Sequence, residues 1–180
     1  PSTDSPTEAT ILHLGESHCL SFMNQIIEFK GKACTIKPSL VKGAKAFHLS
    51  EESKTNIQKL GFEKRLQQNL DDYEHIFLSF GEIDCREDEG ILLQCKKTGK
   101  AVQDVSKTTA IKYYKRTATS LSEHMKKLVY FGTPAPFKID PNSEESSENN
   151  EQRRLAITVF NTTLAKQCQE SGSLFADVYK

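Results

Sequence analysis

Short unbroken apolar runs alternate along the chain with longer stretches in which apolar residues recur every three or four positions. The runs at 10–15 ("TILHLG"), 75–80 ("HIFLSF"), 128–137 ("LVYFGTPAPF") and 174–179 ("LFADVY") read as strands. A fifth segment, 33–41 ("ACTIKPSLV"), reads as extended, and Pro38 suits it to an edge or irregular position. Cys19, Phe22, Met23, Ile26 and Ile27 keep a helical spacing directly after the first strand. A second helix is expected over "HLSEESKTNIQKLGFEKRLQQNL", with Ser50 as its N-cap and Gly61 as its weak point. Residues 87–127 read as mostly helical, with Ile111, Tyr114, Ala118, Leu121, Met125 and Leu128 on one face. Ala156, Val159, Phe160, Thr163 and Leu164 mark a last helix, closed by "SGS" at 171–173.

Five strands separated by helices, with no Asn-Gly hairpin signal, predict a three-layer α/β/α sandwich around a five-stranded, mainly parallel sheet. Residues 1–9 are expected to be a flexible tail, 10–180 one domain, and 138–152 a disordered acidic loop within it. In such sheets ligands bind outside the carboxyl ends of the strands. Four turns follow predicted strands: "GESH" at 15–18, "KGAK" at 42–45, "GEIDCR" at 81–86 and "GTPAP" at 132–136. All four should gather on one edge.

Composition narrows the function more than the fold. The 180 residues carry 24 basic and 24 acidic side chains, so no net charge draws the chain toward nucleic acid or a membrane surface. Nine Lys or Arg between 94 and 127 face only Asp104 and Glu123, which suits a solvated helix surface. No apolar run approaches the ~20 residues of a membrane span. Five cysteines, an odd number without CxxC or metal-like spacing, point to reduced thiols in a cytoplasmic protein. There is no GxGxxG after the first strand, no GxxxxGK[ST], no HExxH and no GxSxG. Dinucleotide, P-loop, zinc-protease and ordinary α/β-hydrolase chemistries therefore have no motif here.

What remains is a serine displayed between a strand and the segment after it. Ser17 reads either as a helix N-cap, worth about 1 kcal/mol, or as a nucleophile. "GESH" resembles the first block of the SGNH hydrolases (GDSL-type esterases), usually Gly-Asp-Ser, with Glu16 in place of Asp. Gly43 matches the family's second block and "GEIDCR" takes the place of its third, Gly-x-Asn-Asp; the order of blocks runs along nearly the whole chain. The resemblance implies a flavodoxin-like sheet and a serine ester hydrolase or acyl transferase acting on a small-molecule or glycan ester. Ser17 would be the nucleophile, and the N–H groups of Ser17 and Gly43 the oxyanion donors. Glu16, His18, His48, Glu82, Asp84 and Arg86 would shape the substrate site, with no metal or organic cofactor.

Two departures bear on chemistry. Ile83 stands where the family has its Asn donor, and losing one oxyanion donor costs about 10²–10³ in rate. The family's Asp-x-x-His is matched only by Asp177-Val178-Tyr179-Lys180, so the catalytic pair is expected beyond Lys180. Without a base, a serine hydroxyl is a weak nucleophile. His18 and His48 are the nearest substitutes in sequence, whereas His13 falls inside the first strand as a core or face residue. The alternative is a non-catalytic binding domain on the same scaffold, holding a carbohydrate or protein ligand. A thiol role for Cys85, beside Arg86, is a third possibility.

Overall fold

The computed structural model describes residues 9–23, 25–50, 54–135 and 147–178. Six strands form one sheet: β1 (Ala9–Gly15), β2 (Ile26–Phe29), β3 (Lys32–Leu40), β4 (His75–Ser79), β5 (Leu128–Phe131) and β6 (Leu174–Ala176). They lie in the order β2-β3-β1-β4-β5-β6, parallel throughout except for β2 against β3. The five parallel strands thus follow the second-first-third-fourth-fifth order of doubly wound sheets, and the strand order reverses between β1 and β4. The mainly parallel α/β architecture is the one expected from the sequence, with six strands in place of five.

The additional strand replaces the expected helix at 19–27. Residues Ser17–Leu20 form one 3₁₀ turn, and the chain then enters β2. Met23 and Ile26 are 48% and 69% exposed, so the apolar stripe has no buried face to hold a helix. The turn decides the outcome: Lys30 and Gly31 have φ of 51° and 74°, as a two-residue type I′ hairpin requires. Pro38 lies beyond Lys32–Thr35, the only β3 residues that pair with β2, so its missing N–H interrupts no ladder there.

Among the described residues there are five α-helices: α1 (Ala46–Ser50), α2 (Ile57–Arg65), α3 (Gly90–Thr98), α4 (Val102–Ser120) and α5 (Ser147–Ser171). The single helix expected over 48–70 is therefore two. Ser50 ends α1 and donates back to the Phe47 carbonyl, while Asn56 caps α2 by accepting from the Lys59 N–H at 2.9 Å. Helix α5 begins nine residues before the expected Ala156 stripe, and so takes in 147–152 of the predicted acidic loop. The rest of that loop and the predicted tail up to residue 8 lie outside the described residues.

Period-two alternation along the strands sorts the core into two clusters. Leu12, Leu14, Ile76, Leu78, Leu128 and Tyr130 face helices α1–α5 and pack on residues such as Phe62, Ile91, Tyr113 and Phe160. Each such buried side chain contributes about 1.5–3 kcal/mol. Ile11, Cys34, Ile36, Phe77 and Val129 face the other way and form a smaller cluster with Phe22, Ile27 and Phe29. The 3₁₀ turn and Phe22 make this third layer thin near the carboxyl ends of the strands.

Candidate active site

The parallel pairing of β1 with β4 sets Gly15 beside Ser79. A Cβ on Gly15 would lie 2.1 Å from Ser79 Oγ and 2.8 Å from its carbonyl oxygen, so only glycine lets the two strand ends approach this closely. The chain then divides its next three side chains between interior and solvent. Glu16 is 1% exposed, Ser17 is exposed, and His18 is half-buried.

Glu16 ties the two corners together. Its N–H donates to the Ser79 carbonyl at 3.2 Å, and its Oε1 accepts from the Glu82 N–H at 3.0 Å. Burial, and then the charge of Glu82, push its carboxyl up to about 8. Its Oε2 is buried with no partner among the described residues. His18 places Nδ1 4.0 Å from Glu16 Oε1. Ser17 caps nothing: no α-helix follows it, and the residue at the cap position of the 3₁₀ turn is Glu16, which makes no side-chain cap bond.

The remaining sequence-predicted residues lie around this corner at different depths. Gly43 has φ of 67° in the turn after β3, and a Cβ there would meet nothing within 4 Å. Glu82 and Arg86 form a two-pronged ion pair, Nε and Nη2 reaching both carboxylate oxygens at 2.6–3.2 Å. Asp84 is fully buried; its Oδ2 accepts from the Ala46 N–H at 2.7 Å and its Oδ1 from the Phe47 N–H at 2.9 Å. It fastens the start of α1, and burial raises its carboxyl to about 6. His48 lies on α1 against the Phe47 ring and does not line the cavity described next. Cys85 is 1% exposed and burial drives its thiol well above the ordinary range, which counts against a thiolate nucleophile.

Beside the serine corner is a cavity of about 190 Å³ walled mainly by Phe22, Phe131, His13 and Ser79, with Glu16 and His18 at one side. Ser17 is flanked by lining residues and is not itself one. His13 is the residue that sequence reasoning placed only in the core. Its Nε2 is 2.9 Å from Ser79 Oγ, and its ring packs among Phe22, Phe77 and Phe131. Burial pushes its pKa down to about 4, so the ring is neutral at pH 7. The signal was present in the alternation of β1, which sends residues 11, 13 and 15 to one face of the sheet.

No protein-family model matches the chain, and no curated protein matches it in sequence. Solved structures do. An extracellular lipase from Streptomyces rimosus superposes with a TM-score of 0.54 at 12% identity, over 95% of this chain and 80% of the lipase. A phospholipase A1 from Streptomyces albidoflavus gives 0.53 at 11% identity, over 94% and 79%. The chain shares its fold with these two enzymes. A gut microbial diltiazem-metabolizing enzyme gives 0.50 at 15% identity, over 96% of this chain but 37% of its own. No helix among the described residues is long and apolar enough to cross a membrane.

Proposed function

We propose that this domain is a serine ester hydrolase or acyl transferase in which Ser17 carries the acyl group of a small-molecule or glycan ester. The observation that supports it best is the placement of Ser17. It stands exposed at the carboxyl end of β1, where the strand order reverses, next to an apolar-walled cavity. In the forward step Ser17 Oγ attacks the carbonyl carbon, its proton passes to a base, and the tetrahedral oxyanion collapses to expel the alcohol. Water or a second alcohol then attacks the acyl-serine and restores the hydroxyl. The N–H groups of Ser17 and Gly43 are the proposed oxyanion donors. Ile83 supplies none, and Arg86 is committed to Glu82.

No described imidazole is hydrogen-bonded to Ser17, so this reading calls for a general base that the described residues do not supply. A cytoplasmic setting is part of this proposal, supported by five cysteines that form no disulfide among the described residues. The second reading is a non-catalytic binding domain for a carbohydrate or protein ligand. The missing donor at Ile83 and the closed Glu82–Arg86 pair favour it. A fluorophosphonate probe applied to the full natural chain separates the two. Labelling that maps to Ser17 and disappears in Ser17→Ala supports the hydrolase; a folded protein that stays unlabelled establishes the binding domain instead.

A further inference from the structure

We propose that Glu16, His18 and Glu82 form a binding site for a divalent transition-metal ion, zinc in the first instance. One ligand atom from each of the three lies within 4.8 Å of those of the other two. The pairing of β1 with β4 brings them together from separate corners, and all three line the same cavity. Bonds of 2.0–2.2 Å to a tetrahedral zinc put ligand atoms about 3.4 Å apart. Closing the set calls for rotations of the Glu82 and His18 side chains, neither of which is fully buried.

The second observation is a set of orphaned polar atoms. Glu16 is 1% exposed, yet its Oε2 has no hydrogen-bond partner among the described residues, and His18 Nδ1 is likewise buried and unpartnered. A cation satisfies both atoms at once. Glu16 Oε1 is already held by the Glu82 N–H, the kind of outer hydrogen bond that fixes a ligating carboxylate. Arg86 places two hydrogen bonds on Glu82 Oε2 and one on Oε1, which leaves Oε1 a further lone pair.

The donor set selects the metal. One imidazole with two carboxylates suits zinc or manganese, whereas magnesium favours oxygen alone and copper(I) favours sulfur. Three protein ligands leave a fourth position open to water or substrate. His13 Nδ1 and Thr133 Oγ1 are also buried and unpartnered among the described residues, and both residues line the same cavity. Ser17 sits between Glu16 and His18, so the ion would border the serine corner. The site is nonetheless defined by binding alone and does not depend on Ser17 acting as a nucleophile.

The test is titration of chelator-treated protein with zinc chloride by calorimetry, with thermal melts in parallel. One-to-one binding is expected, with a rise in Tm of roughly 5–10 °C at a hundredfold excess over Kd. Glu16→Gln and His18→Asn should each weaken binding at least tenfold while the circular dichroism stays native. Cobalt(II) substitution gives a readout that needs no variant: d–d bands without a thiolate-to-metal band indicate the N/O set. No saturable binding to the folded protein, undiminished affinity in both variants, or a cobalt–thiolate band would each overturn the assignment.

Discussion

Replacing His13 with Phe should tilt the pH dependence of stability in a direction fixed by the burial of this ring. In the native protein the His13 pKa is pushed down to about 4 from 6.5, chiefly by burial and secondarily by His18. The unfolded chain therefore binds a proton at this position between pH 6.5 and 4 that the folded chain refuses. Stability from the neutral ring is complete above pH 6.5 and is lost as pH falls toward 4. At 1.36 kcal/mol per pKa unit the full loss is about 3 kcal/mol. Glu16 acts with the opposite sign: its carboxyl is raised to about 8, so its contribution falls as pH rises from the ordinary carboxylate range through 8. Both proteins carry Glu16, and the difference between them isolates His13. At pH 7.5 the variant should be weaker by about 1–2 kcal/mol, because Ser79 loses its 2.9 Å partner. Acidification should erase that deficit between about pH 6 and pH 5 and reverse it by pH 4.5. Urea unfolding at four pH values between 4.5 and 7.5 measures the difference directly. Stability curves that stay parallel across this range would refute a buried, neutral His13.

Asp84→Ala should cost about 2–4 kcal/mol and lower Tm by roughly 5–10 °C, since the N–H groups of Ala46 and Phe47 lose their acceptor; differential scanning calorimetry reads this. Gly15→Ala should destabilise by at least 1–3 kcal/mol through the clash with Ser79, measured by urea denaturation. Arg86→Gln should change stability by less than about 1 kcal/mol in the same assay, because half the Arg86 side chain is in water.

The elements read best from the sequence were those whose side chains face one environment throughout. All five residues of β4 are buried, and "HIFLS" is apolar enough to announce a central strand. Residues 19–27 satisfied a helical spacing, and the decision rested on Lys30-Gly31, a turn whose left-handed backbone "KG" signals less plainly than Asn-Gly. The two corners were legible as neighbours because each follows a parallel strand. The direction of the side chains within them was not. Glu16 turns inward while Ser17 faces out, and Asp84 reaches away from the cavity to α1, because the pairing of β1 with β4 and the docking of α1 fix those rotations. His13 looked like ordinary core for the same reason: only the tertiary fold places Ser79 against it and opens a cavity beside it.

The short antiparallel strand also governs how this sheet meets other molecules. Without β2, the long strand β3 would present a parallel edge with open amide and carbonyl groups, a template on which a second chain can add a strand. The hairpin covers that edge with only four residues, among which Glu28 is exposed, and flanks it with exposed Lys30 and Lys32. A newcomer would find little length to pair with and charge at the turn end. The turn at Lys30-Gly31 thus shields the Lys32–Thr35 part of that edge, and lengthening β2 with apolar residues would trade that protection for strand-on-strand association.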